Sequence, residues 1–240
     1  MKTLKLTVLA IAILAGGAKT VKAQNANEII QKHIDAVGGE KNWSKVTGMK
    51  LTGNMSMGGA DIGVTQTVVN DKGMRMDISA MGVNGYTIVT PKEGWMYMPF
   101  GGSDKVMPIP ADQMGMYKDK LNVKNGQLVD KSLITKAEYA GIDTLNSVPC
   151  HKLKVTGKDG SMQTCYIDAA TYYMVRTEAK VQLQGEEREE GVNFSNFKKL
   201  EGGVTMPLTF GTSQGDIVFR SIEINPKVDD NIFKPTEVKK

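Results

Sequence analysis

The sequence predicts a mainly β protein, folded as a half-open antiparallel β-barrel of about eleven to twelve strands with one or two short helices covering or plugging the concave face. Three observations support this fold class. Apolar or glycine residues alternate with polar ones, turn signals separate these stretches, and strand signals return in pairs after residue 132. Such a sheet must cover its apolar face, and curling around that face achieves this.

The first 23 residues have the pattern of a secretory signal peptide. Lys2 and Lys5 precede an apolar run over residues 6–14, and small residues follow at Val21 and Ala23. The apolar run is shorter than the roughly 20 residues of a membrane-spanning helix, so we expect cleavage after Ala23 and not a retained anchor. We therefore expect a periplasmic protein in which residues 24–240 form one domain.

The charge balance does not favour a nucleic-acid partner. The chain has 30 Lys and Arg against 26 Asp and Glu, and four of the lysines lie in residues 1–23, where no acidic residue occurs. The remaining chain is therefore balanced at 26 against 26. Its net charge gives no steering toward nucleic acid or an anionic membrane.

A helix is predicted after the signal peptide, capped by Asn25 or Asn27 and ended by the glycine pair at 38–39. Its apolar side comprises Ile29, Ile30, Ile34 and Val37. This side must lie on the sheet that follows. His33 falls on the same side, and no second His, Cys or acidic cluster stands at ligand spacing, so we expect a packed or half-exposed histidine and not a metal ligand.

Residues 46–99 predict five consecutive antiparallel strands with one apolar and one polar face. The apolar face includes Met49, Leu51, Met55, Met57, Val64, Met74, Met76 and Ile78. Glycines at 53, 63 and 85 mark places where a strand bends or a guest approaches closely. Arg75 alternates away from Met74 and Met76, and we expect it to face solvent.

The rest of the chain contains a second predicted helix and further strands. Residues 111–121 place Met114, Tyr117 and Leu121 at helical spacing, and the polar residues 122–130 form a connection. Strand signals then resume in pairs from residue 132 to residue 224.

The two cysteines, Cys150 and Cys165, flank a predicted turn at residues 157–160. By parity they lie on the same face of a hairpin, but a turn centred on residues 159–160 leaves them out of register. Since a disulfide needs Cα atoms within about 7 Å, the sequence leaves two possibilities open: a bridge, or two buried free thiols.

Fifteen methionines are a high count, and several lie on the apolar face of the first five strands. An unbranched, polarisable side chain suits a cavity that accepts flexible apolar guests. The other interpretation is that methionine merely fills a closed core. A cavity interior would need lids, and the side chains available are Ile30 and Ile34 of the first helix and Met114 and Tyr117 of the second.

The sequence contains no motif for catalysis or for a cofactor. G-x-G-x-x-G, P-loop, H-E-x-x-H, G-x-S-x-G and C-x-x-C patterns do not occur. Cys150 and His151 are adjacent in a strand, so they point to opposite faces and form no nucleophile–base pair. We expect a protein that is not an enzyme and uses no cofactor.

Two segments resemble the LolA and LolB family of periplasmic lipoprotein carriers and the outer-membrane lipoprotein-sorting proteins of Bacteroidetes-type bacteria. Residues 94–100, GWMYMPF, are similar to the family's G-x-x-[LW]-W-x-Y-x-P-F strand, and residues 225–235 are similar to its closing N-x-x-[IV]-D-x-x-x-F-x-x-P segment. The resemblance implies that Trp95 and Tyr97 line the cavity. The family's arginine turn before the third strand is replaced here by residues 70–73, NDKG.

The leading hypothesis is a periplasmic carrier that binds a lipid, an acyl chain or a lipoprotein in its apolar cavity and exchanges it with a membrane-protein donor or acceptor. The alternative is a structural or protein-interaction module of the same fold with a self-filled interior. A third possibility is an enzyme acting on a hydrophobic substrate.

Overall fold

Thirteen strands form a single antiparallel sheet in a computed structural model that describes residues 25–102, 104–183 and 186–236. The predicted signal peptide and its cleavage site lie outside these residues. The first six strands are β1 (Gly48–Met57), β2 (Ala60–Val69), β3 (Gly73–Ala80), β4 (Val83–Val89), β5 (Gly94–Tyr97) and β6 (Met107–Pro108). The remaining seven are β7 (Ile134–Leu145), β8 (Val148–Gly157), β9 (Met162–Asp168), β10 (Met174–Leu183), β11 (Glu186–Lys199), β12 (Thr205–Thr212) and β13 (Gly215–Ile224).

The strand order is β6-β5-β4-β3-β2-β1-β13-β12-β11-β10-β9-β8-β7. Two meanders are therefore joined through the β1–β13 pair, with β6 and β7 as the two edges of an open sheet. This confirms the predicted half-open barrel. The additional strand is the two-residue β6, in a stretch for which the sequence predicts no strand.

Close approach of the two meanders depends on Gly53, at a β-bulge where the register of β1 against β13 shifts. A Cβ atom there would lie 2.2 Å from the carbonyl oxygen of Val218. Gly63 on the neighbouring strand is different, because its nearest contacts, to Ser79, would be at 3.6 Å. Gly53 is therefore required because β13 approaches it too closely for a side chain, whereas the space around Gly63 does not require glycine.

The first helix, α1, spans Ala26–Ala36, and Asn25 caps it by accepting a hydrogen bond from the Asn27 amide at 2.9 Å. This confirms the predicted helix and one of its two candidate caps. A short helix, α2 (Glu40–Trp43), follows, and the Trp43 indole donates to the Val37 carbonyl at 3.0 Å. We call the sheet face that α1 covers the concave face.

The C-terminal segment covers the opposite, convex face of β3–β5. Phe233, in a 3₁₀ turn at Asp230–Phe233, is buried against Tyr86 and Ile88. The Arg75 guanidinium lies over the Tyr86 ring, 4.8 Å from its centroid, and donates to the Ile232 carbonyl at 3.0 Å. Arg75 therefore points away from the concave face as predicted, but the prediction that it faces solvent is wrong, because this segment covers it.

Cys150 and Cys165 are both buried free thiols, so the bridge that the sequence left open is absent from the structure. The β8–β9 register pairs Cys165 with Leu153 and Cys150 with Asp168. Directly paired residues share a face and successive residues alternate, so Cys150 points to the face opposite Cys165. The prediction from parity that the two share a face is wrong.

Candidate functional site

The two ends of the concave face are filled by different segments. Over β8 and β9, helix α1 buries Ile29, Ile30 and Ile34 against Leu153, Cys165 and Ile167. Over β2–β4, a 3₁₀ segment at Met114–Leu121 packs Met114 and Tyr117 against a cluster of Val68, Met74, Val89 and Ile109. The predicted second helix is therefore present as a shorter 3₁₀ segment. The middle of the face lies between these two fillings.

A cavity of about 310 Å³ occupies this middle region. Its floor is apolar and comes from the junction of the two meanders: Met49 and Leu51 on β1, Val68 on β2, and Met206 and Phe210 on β12. Val155, Gln163 and Ala179 of β8–β10 form the opposite wall. The cavity thus lies where β1 and β13 join the two halves of the sheet.

Residues 122–130, which we call the roof segment, lie across this cavity. Two apolar side chains anchor it, since Leu128 packs in the cluster under α1 and Val129 packs in the cluster that contains Trp43 and Met49. The Val123 amide also donates to the Asn70 side chain at 3.0 Å. The other side chains of the segment are mostly polar, so the cavity has an apolar floor and a polar roof.

His33 joins α1 to the roof segment. Its Nε2 atom lies 3.0 Å from the Gln127 carbonyl oxygen, and its Nδ1 atom lies 2.8 Å from the Tyr172 carbonyl oxygen. Burial lowers the pKa of His33 below 6.5, while the two carbonyls act in the opposite direction. The histidine is packed, as predicted, and it ties the roof segment to the helix.

Among the side chains that the structure describes, three charged ones line the cavity: Lys120, Lys124 and Asp130. The Lys124 ammonium lies 3.8 Å from an Asp130 carboxylate oxygen, and the Lys120 ammonium lies 5.4 Å from the centroid of the Tyr117 ring. The described part of the cavity lining therefore carries one more positive than negative charge.

The structure places the predicted lining residues in three groups. Met49 and Leu51 line the cavity. The strand register places five more on the same concave face: Met55, Val64, Met74, Met76 and Ile78. Of these, Met74 is covered by the 3₁₀ segment, and Met55 lies toward the far end of β1. The Met57 side chain lies outside the part of the chain that the structure describes.

Trp95 and Tyr97 do not point into the cavity, which corrects the expectation drawn from the family resemblance. They pair with Ile88 and Tyr86 of β4 and pack around Phe233 on the convex face. Met96, between them, points to the concave face and packs beside Met74. The C-terminal segment supplies the apolar cover that the two aromatic rings need.

The predicted lid residues also lie elsewhere than over the cavity. Ile30 and Ile34 are almost fully buried on the side of α1 that packs on the sheet. Met114 and Tyr117 pack over the first meander. The roof segment, predicted to be only a connection, takes the covering position instead. Its adjacent apolar pair, Leu128 and Val129, is the one signal in the sequence that could have indicated this.

The described ranges, residues 25–102, 104–183 and 186–236, also bear on metal and membrane sites. Within these ranges no group of three or more His, Cys, Asp or Glu side chains is placed to hold a metal ion. Nor is any helix in this part of the chain both long and apolar enough to cross a membrane. The cavity under the roof segment is therefore the candidate site that we develop.

The fold is similar to that of solved structures from three organisms. One is a DUF1329-family protein from Desulfovibrio piger, at 12% identity and a TM-score of 0.54, covering 88% of this chain and 98% of that one. A LolA-superfamily protein from Nitrosomonas europaea has 12% identity and a TM-score of 0.52, covering 89% and 99%. An outer membrane lipoprotein-sorting protein domain from Vibrio parahaemolyticus has 13% identity and a TM-score of 0.50, covering 86% and 95%. No protein-family model matches the sequence, and no curated protein matches it significantly.

Proposed function

From a LolA-like fold with a roofed apolar cavity, we propose that this protein is a non-enzymatic periplasmic carrier that holds an acyl chain of a lipid or a lipid-modified protein. The observation that carries the proposal is the cavity itself. Its floor of Met49, Leu51, Val68, Met206 and Phe210 offers a chain an apolar surface beneath a polar roof. The name of the Vibrio protein refers to lipoprotein sorting, which is consistent with this use of the fold.

The energetics suit a carrier. At about 0.8 kcal/mol per buried methylene, a chain of about twelve carbons gains roughly 10 kcal/mol relative to water. This outweighs typical ordering costs of binding. Relative to a bilayer the gain is close to zero, because the chain is already out of water there. A protein of this kind shields its cargo in transit and still releases it to a membrane or a membrane-protein acceptor.

The periplasmic location follows from the sequence pattern of residues 1–23, whose charged start and short apolar run are typical of an exported protein. It is tested by fractionating cells that express the full chain and determining the N-terminus of the product. The proposal expects the protein in the periplasmic fraction, beginning at Gln24. A product retained in the cytoplasm with residues 1–23 intact would contradict it.

Cargo binding is tested on the chain lacking residues 1–23, after lipid extraction, by titration with a fluorescent fatty acid. Ala179 lines the cavity and is not part of its packed clusters, so Ala179→Trp fills the space with little cost to the core. Lys180 is exposed and alternates to the other face, so Lys180→Trp is the matched control. We expect binding by the parent and the control and at least tenfold weaker binding by Ala179→Trp.

A second candidate is a protein-interaction module whose interior is filled by its own side chains. The burial of Ile29, Ile30 and Ile34, each at most 1% exposed, favours it, since these side chains of α1 pack on one end of the concave face. Under this candidate the purified protein yields no lipid on extraction and does not bind the fluorescent fatty acid. That result would contradict the carrier proposal.

A further inference from the structure

We propose, resting on the carrier function above, that the cargo is a single-chain anionic amphiphile whose carboxylate or phosphate is held by Lys120 and Lys124. The two lysines lie at the polar side of the cavity, facing an apolar floor of β1, β2 and β12. The volume of the cavity, its charge and the hydrogen-bonding groups that line it support such a cargo.

The volume admits one chain. An apolar cavity of about 150 Å³ binds benzene, with its six carbon atoms. The cavity under the roof segment, at about 310 Å³, is twice as large and holds on the order of a dozen carbon atoms. Two or three acyl chains side by side would require α1 or the 3₁₀ segment to leave the face it packs on. Those fillings bury Ile29, Ile30, Val68 and Met74.

The charge favours an anionic head group. Among the described residues Asp130 is the single carboxylate lining the cavity, and its Oδ1 atom already accepts hydrogen bonds from the Ser132 amide at 3.0 Å and hydroxyl at 2.6 Å. The Lys124 ammonium lies 3.8 Å from the other oxygen, Oδ2, which is beyond hydrogen-bond distance. The Lys124 side chain is only 17% exposed, so its ammonium has N–H donors to offer a ligand in a partly dry site.

Lys120 has no carboxylate partner among the residues that the structure describes, and its contact there is the Tyr117 ring. The described cavity lining therefore offers the two ammonium groups one carboxylate, that of Asp130, which already accepts hydrogen bonds from Ser132. A neutral chain would leave the largely buried Lys124 ammonium without an anion at hydrogen-bond distance, while Lys120 is exposed to solvent. A carboxylate or phosphate would supply that anion while its chain lies on the apolar floor.

Two glutamines add neutral donors to the same cavity. Gln66 lies on the concave face opposite Leu51 and Met76, and Gln163 lies opposite Val155. Both line the cavity, and neither side-chain amide bonds to another described residue. Their N–H groups are available to the oxygen atoms of a head group, which an entirely hydrocarbon cargo would not use.

The test compares twelve-carbon ligands that differ only in the head group: laurate, dodecyl phosphate, neutral monolauroylglycerol and cationic dodecyltrimethylammonium. Each displaces a neutral fluorescent alkyl probe from the chain lacking residues 1–23, below its micellar concentration. We expect laurate or dodecyl phosphate to bind about tenfold more tightly than monolauroylglycerol, since hydrogen bonds to a charged head group are stronger than those to a neutral one. The ratio of the affinities for laurate and dodecyl phosphate identifies which head group the site prefers.

Three variants test the role of Lys120 and Lys124 in binding the head group. Lys120→Gln and Lys124→Gln should each remove most of the preference for anions, lowering the affinity for laurate more than the affinity for monolauroylglycerol. Lys50→Gln is the control, because Lys50 is exposed and alternates away from Met49 and Leu51. The preference should also shrink in 0.5 M salt.

The outcomes separate this inference from the carrier proposal. Equal affinity for laurate and monolauroylglycerol, with the probe bound normally, would overturn the proposed anionic head group but would not contradict the carrier proposal. Dilauroyl phosphatidic acid binding as tightly as dodecyl phosphate would overturn the single chain. Failure of the protein to bind the probe or any of the ligands would overturn the carrier proposal itself.

Discussion

The Nε2 atom of His33 lies 3.0 Å from the carbonyl oxygen of Gln127, so a buried histidine on α1 contacts the backbone of the roof segment. Its other ring nitrogen faces the Tyr172 carbonyl at 2.8 Å. A neutral imidazole has one N–H, so it donates to one of these carbonyls at a time. The contact links the cover of the cavity to the helix that fills the neighbouring part of the sheet.

Stability should fall as the pH is lowered below about 6.5, the usual pKa of histidine. Burial lowers the pKa of His33, and burial together with the Lys32 charge lowers the pKa of His151. The unfolded chain therefore binds protons first, and the free energy of unfolding decreases as the pH drops from 7 to 5. Urea unfolding at pH 7.5, 6.5 and 5.5 measures this.

In that experiment the contribution of the histidines to the pH dependence of stability can be separated from that of the acidic residues. Hydrogen bonds lower the pKa of Asp143 and Asp159, so their contributions are lost only below their usual value of 3.8. Replacement His33→Gln should make the free energy of unfolding less dependent on pH between 7.5 and 5.5. A parent protein that becomes more stable over this interval on acidification would contradict the assignment.

The C-terminal segment should contribute to stability through Phe233. Its ring is 5% exposed and packs on Tyr86 and Ile88, and Phe→Ala replacements in cores cost about 3–5 kcal/mol. We expect Phe233→Ala to lower the free energy of unfolding by about 3 kcal/mol. Lys234→Ala, at an exposed position, should change it by less than about 0.5 kcal/mol. Equal effects of the two changes would contradict the packing.

Gly53 and Gly63 form a matched pair for testing the junction of the meanders. A methyl group at Gly53 meets the Val218 carbonyl at 2.2 Å, so Gly53→Ala should cost about 1–3 kcal/mol, as overpacking does. At Gly63 the contacts are ordinary, and Gly63→Ala should leave stability unchanged or raise it by up to about 1 kcal/mol. Thermal and urea unfolding of both variants measure the difference, and a tolerated Gly53→Ala would contradict the close approach.

The two thiols should be present but unreactive in the folded protein. Burial raises the pKa of Cys165 to about 12 and also raises the pKa of Cys150. Since the thiolate is the reactive form, a thiol reagent should label neither residue in the native state and both in denaturant without reductant. Fewer than two thiols in the unreduced, unfolded chain would show that a disulfide is present.

The parts of the fold set by local sequence were predictable. Asn25 and the isoleucine spacing define α1, and the alternation around Met49 and Met74 defines strands whose apolar residues share a face. The turn signals then fix the order of the hairpins. These features depend on neighbours within a few residues along the chain, so a single sequence carries them.

The parts set by distant contacts were not predictable. Both faces of β5 are apolar, and the side on which Trp95 lies is decided by Phe233, more than a hundred residues away. The covering position of the roof segment likewise depends on Leu128 reaching the cluster under α1 and on His33 contacting Gln127. Neither relationship leaves a periodic pattern in the sequence.

The most direct test of the account is to map where an acyl chain binds. A laurate carrying a diazirine at its chain end is photolysed with the delipidated protein, with and without excess unlabelled laurate, and the modified peptides are identified by mass spectrometry. The account predicts competed labelling of peptides that contain Leu51, Met206 or Phe210 on the cavity floor. Labelling confined to exposed apolar side chains such as Met81 and Ile142, or labelling that laurate does not compete, would contradict it.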